Sequence, residues 1–158
     1  MKKGPTPHFS WRELTIRKRV PGADEARLTD AVRADLARVA ACVEVIRAHV
    51  KEPVFVTSAF RAGDPKQHGR GQAMDIQVRS LSPMQLLQIV RGLDMPYALR
   101  QVIAETDAGN REALDLPMAE KSGRWLHLAV FGDGFTRPST LPWGASWDPP
   151  GDRVYRSV

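Results

Sequence analysis

The first strong periodic signal along the chain is Val32, Leu36, Val39, Ala40, Val43, Ile46 and Val50. Spacings of three and four place these residues on one face of an amphipathic helix. Thr29 or Asp30 is a fair N-cap for it. Lys51-Glu52-Pro53 predicts its end, because a proline disfavours helical geometry in the residue before it. Val54–Ser58 is a short β-branched run and reads as a buried strand. Residues 61–72 hold Gly63, Pro65, Gly69 and Gly71 and read as a loop with tight backbone positions. Ala73–Val78 alternates and predicts a second strand. Ser82-Pro83-Met84-Gln85 has the form of a helix start, with a serine cap, proline at the first helical position and glutamine closing a capping box. Leu86, Leu87, Ile89, Val90 and Leu93 supply the buried face of this helix. Gln101–Glu105 and Arg124–Val130 read as a third and a fourth strand, with a polar excursion over residues 106–123 between them.

The two ends are different in character. Residues 1–30 carry Pro5, Pro7 and Pro21, and Phe9, Trp11 and Leu14 are the apolar groups that can pin them to the body. After Gly132, Pro138, Pro142, Pro149 and Pro150 surround Trp143 and Trp147 with no helix or strand period. The expected architecture is α+β, with two main helices packed on a small, mostly antiparallel sheet. The expected organisation is one domain over residues 1–131 and an extended tail over 132–158.

Composition narrows the class. With 158 residues, 42% hydrophobic and 26% charged, the chain has the balance of a folded globular protein and the length of one domain. Its one cysteine, Cys42, excludes an intrachain disulfide and a cysteine-rich zinc finger. No apolar run approaches the ~20 residues that span a bilayer. The basic start Met1-Lys2-Lys3 lacks the apolar stretch of a signal peptide, so the expectation is synthesis in the cytoplasm. Lys+Arg 23 against Asp+Glu 18 gives +5, which suits nucleic acid, an anionic membrane surface or an anionic wall polymer. Arg61, Arg70, Arg79, Arg91 and Arg100 are interleaved with acids and apolar residues, which argues against a nucleic-acid arm.

The four histidines have contrasting contexts. His49 ends the first long helix, where a cation suits the helix dipole, and His8 lies in the proline-bearing start. Both read as structural. His68 opens His68-Gly69-Arg70-Gly71-Gln72-Ala73-Met74-Asp75, with the histidine in the glycine-rich loop and the aspartate inside the next strand. A carboxylate inside an apolar strand is costly to bury unless it is paired or metal-bound. Alternation sets Asp75 opposite Met74, Ile76 and Val78. His127 lies inside the last strand, flanked by Leu126 and Leu128 on the opposite face. Two histidines and a carboxylate form a zinc set with a fourth position open. From spacing alone, ordinary roles compete: a strand histidine satisfied in the core, and Asp75 paired with an arginine.

The pattern resembles the zinc D,D-peptidase family of peptidoglycan enzymes, which includes D-alanyl-D-alanine carboxypeptidases and dipeptidases and phage L-alanyl-D-glutamate endolysins. The resemblance runs from about His8 to about Val130. His8-Phe9-Ser10-Trp11-Arg12-Glu13-Leu14-Thr15 is similar to the opening of the short phage and prophage members. Thr57-Ser58-Ala59-Phe60-Arg61 is similar to the family's S-G-Y-R strand end. His68, Gly71, Ala73 and Asp75 match the central motif, and Trp125-Leu126-His127 matches its W-x-H.

The resemblance implies a hedgehog/D,D-peptidase-like fold with zinc held by His68, Asp75 and His127. It implies that Ser58 and Arg61 bind substrate, with Arg61 near the scissile carbonyl or a substrate carboxylate. It implies cleavage of the peptidoglycan stem peptide by a phage or prophage lysin, acting on the wall after release or as part of a virion. Two departures stand out. Lys66 occupies a position that is serine in many members, and Arg124 stands three before His127, where many carry the glutamate that serves as general base. Short phage-like members often lack that glutamate too. Glu105 is then the candidate base and Asp107 the runner-up. The alternative reading is a catalytically weak structural or wall-binding component of a phage particle, docking on phage proteins through Trp143 and Trp147.

Overall fold

The computed structural model describes residues 3–108, 110–120 and 122–132; Trp143, Trp147 and the rest of the tail from 133 onward lie outside the described residues. The elements, in chain order, are α1 (Trp11–Leu14), α2 (Asp30–Val50), β1 (Phe55–Ser58), β2 (Ala73–Gln77), α3 (Pro83–Arg91), β3 (Leu99–Thr106) and β4 (Arg124–Val130). The four strands form one sheet in the order β1-β2-β4-β3, and every pairing is antiparallel. The architecture is α+β.

The helix signals act as expected. The Thr29 hydroxyl accepts from the Val32 N–H and caps α2. Ser82 and Gln85 form the reciprocal capping box of α3, with Pro83 at its first position. The end of α2 differs in cause. Lys51 turns left-handed at φ 56° and sends its N–H to the Arg47 carbonyl, so the helix closes two residues before Pro53. A second capping box adds to the expected one: Ser10-x-x-Glu13 starts the short α1 and tucks Leu14 into the core.

Both long helices pack on one face of the sheet. Leu36, Val39, Val43 and Ile46 of α2 and Leu86, Leu87 and Val90 of α3 share a core with Met74, Ile76, Leu126 and Leu128. The excursion over 106–123 is not purely polar. A 3-10 turn at Glu112–Asp115 buries Leu114, Met118 is fully buried, and the Met118 N–H donates to the Leu81 carbonyl at 2.8 Å. Leu114 and Met118 join the core, and the charged residues around them mask the pattern.

Alternation then dictates the other face. Because successive strand side chains point to opposite sides, burying Met74 and Ile76 sends Asp75 and Gln77 away from the helices. Burying Leu126 and Leu128 does the same to Trp125 and His127. Antiparallel register places Asp75 opposite His127, His127 opposite Ile103, and Glu105 opposite Trp125.

Candidate metal centre

His127 and Asp75 are brought together by the register of two central strands. His127 Nδ1 lies 2.8 Å from Asp75 Oδ1. The third member comes from the loop before β2. A 3-10 turn at Gln67–Arg70 lowers His68 onto the sheet, with His68 Nε2 3.4 Å from Asp75 Oδ2. Two glycines make this approach possible. Gly71 has φ 73°, and a Cβ there would meet Val32 at 2.9 Å. A Cβ on Gly69 would meet the Asp64 carbonyl oxygen at 1.7 Å.

The histidines are oriented from behind. His68 Nδ1 lies 2.6 Å from the Ala59 carbonyl oxygen, so it carries the proton and donates, leaving Nε2 free to face Asp75. Ala59 follows a register shift between Val56 and Ser58 in β1, a bulge that puts Ser58 opposite Asp75. Bulges beside sites serve to re-aim the chain in this way. His127 Nε2 lies 3.2 Å from Gln67 Oε1. The sequence carries no signal for Gln67 beyond its place next to His68.

All three residues are buried, at 5%, 8% and 7% exposure for His68, Asp75 and His127. Burial alone would raise the Asp75 pKa, but the charges and hydrogen bonds of the two histidines outweigh it and hold the carboxyl well below the usual carboxylate range. Burial would depress His127, but its hydrogen bond and attraction to Asp75 prevail and its pKa is raised. A carboxylate fixed in its ionised form between two imidazoles suits a cation. A tetrahedral zinc with ligands at about 2.0–2.2 Å sets its ligand atoms roughly 3.3 Å apart. One donor atom from each of the three residues lies within 4.8 Å of the other two. The donor set could therefore hold a metal ion, and the mixture of two imidazoles and a carboxylate is one that zinc accepts.

Glu105 stands on the same face. Burial first, and the nearby Asp75 charge second, push its carboxyl up to about 7. The Trp125 indole N–H donates to Glu105 Oε2 and opposes that rise. In the sequence Trp125 stands out only for its spacing to His127; its own partner becomes visible once β3 and β4 are paired. Asp107 also lines the cleft but is exposed.

Arg124 points elsewhere. Its guanidinium donates to the Pro117 carbonyl at 2.9 and 3.2 Å, so it ties the 106–123 loop to β4. Lys66 is exposed at the cleft edge, and its backbone N–H donates to Asp64 Oδ1 at 2.7 Å. Arg61 lines the same cleft as Ser58 and lies 3.7 Å from Asp64. The Arg61 Nε is buried without a hydrogen-bond partner, a donor left free. The remaining histidines lie outside this group. His8 pins the N-terminal segment to α2 through Glu44 at 2.8 Å, and His49 is exposed in the last turn of α2.

The cleft over these residues encloses about 1320 Å3. That exceeds the ~300–1,000 Å3 of a small-molecule pocket and suits an extended substrate. Among the described residues, no helix is long and apolar enough to cross a membrane. Comparison of the chain with protein-family models, curated proteins and solved structures returns no match.

Proposed function

We propose that the protein is a zinc-dependent peptidase of the hedgehog/D,D-peptidase type that cleaves the stem peptide of bacterial peptidoglycan. The observation that carries this reading is the buried His68–Asp75–His127 set with Glu105 beside it on the same sheet face. The sequence resemblance reaches the same residues from their motifs. It also points to a phage or prophage lysin that meets the wall after release from the host or as part of a particle.

Zinc bound by the three residues would polarise the scissile carbonyl and lower the pKa of a bound water. The chain's own groups supply the rest. Asp75 holds its negative charge at any working pH, and the Ala59 carbonyl keeps Nε2 as the free nitrogen of His68. Glu105, whose carboxyl is raised above the usual carboxylate range in the metal-free protein by burial and by the Asp75 charge, is the group placed to take a proton as a general base. Trp125 fixes one of its oxygens and leaves the other for the proton. Arg61, whose side chain is partly exposed along the cleft, offers its guanidinium to the peptide carbonyl or to a substrate carboxylate. Arg124, held on Pro117, takes no part.

The test is a digest of purified peptidoglycan with the zinc-loaded protein, read as newly formed amino termini. The expected result is one new terminus of a stem-peptide residue, absent with His68→Ala. Full zinc occupancy with no new terminus would remove the peptidase reading and leave a wall-binding or structural component.

A further inference from the structure

The N-terminal segment carries a feature that neither the core nor the metal set requires. Arg17 and Val20 pair as an isolated antiparallel bridge, with hydrogen bonds of 3.1 and 2.9 Å in the two directions. The two residues between them, Lys18 and Arg19, both have positive φ, 48° and 67°. This is a tight two-residue turn of the kind that favours Asn-Gly, because both central positions are left-handed. A long cationic side chain at each position is a strained choice. The turn is also firmly seated. Asp24, 5% exposed, lies 3.6 Å from the Arg17 guanidinium and accepts from the Ala62 N–H at 3.2 Å. The Phe60 N–H donates to the Leu14 carbonyl at 2.9 Å. The turn is thus built against the segment that bears Arg61.

Lys18 and Arg19 line the cleft of the metal set, and neither has an ion-pair partner among the described residues. Of the acids of the cleft, Asp64 lies on Arg61, Glu120 lies on Arg79, Asp75 and Glu105 belong to the floor, and exposed Asp107 forms no ion pair with Lys18 or Arg19. We propose that the Lys18–Arg19 turn is an anion subsite of the cleft, which takes a free carboxylate of the bound peptide away from the bond under attack. This rests on the peptidase reading and adds to it a substrate class: a peptide that carries a carboxylate beyond the one Arg61 engages. The strain and the seating fit this role, since a fixed backbone turn carries two cations into the lining of the cleft where a neutral Asn-Gly turn would fold with less strain.

The test is calorimetric titration of the full chain, stripped of metal with EDTA so that the ligand stays intact. Two probes are used: a soluble stem peptide with free side-chain carboxylates, and the same peptide amidated at those groups. At about 50 mM salt the wild type binds the free acid roughly 5- to 10-fold more tightly than the amide, and the gap narrows at about 200 mM as screening increases. Lys18→Asn with Arg19→Gly abolishes the gap while raising the melting temperature by about 3–6 °C, because the turn is relieved. Lys18→Gln with Arg19→Gln keeps side-chain length and also abolishes the gap. Lys3→Gln with Arg27→Gln, the same change in net charge away from the cleft, preserves it. A gap that survives both turn variants, or that the distant control also removes, overturns the subsite and leaves the peptidase reading standing. Failure of the wild type to bind either peptide overturns both.

Discussion

The two faces of the central strands differ at every second residue, and the difference separates the residues that fold the protein from the residues on which the proposed activity rests. On one face, Met74, Ile76, Leu126 and Leu128 are fully buried against α2 and α3. On the other, Asp75, His127, Trp125 and Glu105 are polar or carry a polar tip, and each is held by another member of the set. The apolar face tolerates any well-packed set of side chains. The polar face holds an ionised carboxylate and a second carboxyl near neutrality, which stability alone gives no reason to keep. The same backbone register serves both, so a slip of one residue would exchange them.

The largest expected effect breaks the polar face. On the proposed reading, His127→Ala removes a metal ligand and lowers peptide cleavage by more than about 1,000-fold, the scale expected when catalytic machinery is removed. Leu126→Ala, its neighbour on the apolar face, does the reverse. It costs about 2–5 kcal/mol of stability by leaving a cavity, and activity per folded molecule stays within about tenfold of wild type. Denaturant unfolding paired with a cleavage assay separates the two. Equal loss of activity in both, at full folding, would dissolve the division between the faces.

Glu105→Gln sharpens the comparison by moving activity and stability in opposite directions. Cleavage falls by about 100- to 10,000-fold. The folded pKa of Glu105, about 7, lies above the ~4.3 of an unfolded glutamate. The folded state therefore binds the proton more tightly, and wild-type stability declines as pH rises from about 4 through 7. In the metal-free protein, the amide substitution removes that decline and gains about 1–3 kcal/mol at pH 8, with the gain vanishing near pH 4. Urea melts at both pH values check this, and a variant less stable than wild type at pH 8 would contradict it.

The polar face was partly legible in the sequence. The three residues of the candidate set were visible from local spacing and strand alternation, and the family resemblance singled them out as a metal set: His68 and Asp75 are seven apart across one loop, and His127 alternates with Leu126 and Leu128. The capped starts of α2 and α3 were legible because Thr29 and Ser82 act within one turn. What the sequence hid involves partners distant in the chain. The Trp125 bond to Glu105 depends on how β3 and β4 align, and the contact of Gln67 with His127 depends on the turn that lowers His68. The Lys18–Arg19 turn was hidden for another reason, because it lacks the glycine or asparagine that announces such turns.

Two smaller effects follow. The raised pKa of His127 means that the metal-free protein binds a proton there which a metal must displace. Zinc affinity therefore falls as pH drops through and below the neutral range, with proton release measurable by titration in buffers of different ionisation enthalpy. Affinity independent of pH would exclude His127 as a ligand. Trp125→Phe removes the indole donor that opposes the rise of Glu105, so the acid limb of the cleavage profile moves to higher pH. The shift is measured against wild type in the same zinc-loaded state, and movement to lower pH would contradict the pairing.

The most direct measurement is the metal content of the purified protein, read by elemental mass spectrometry after zinc loading and dialysis. One zinc per chain is expected in the wild type and in Glu105→Gln, with loss of that zinc in His68→Ala, Asp75→Ala and His127→Ala. A folded wild type without stoichiometric zinc, or an Asp75→Ala variant that keeps it, would contradict the assignment of a metal centre to the polar face.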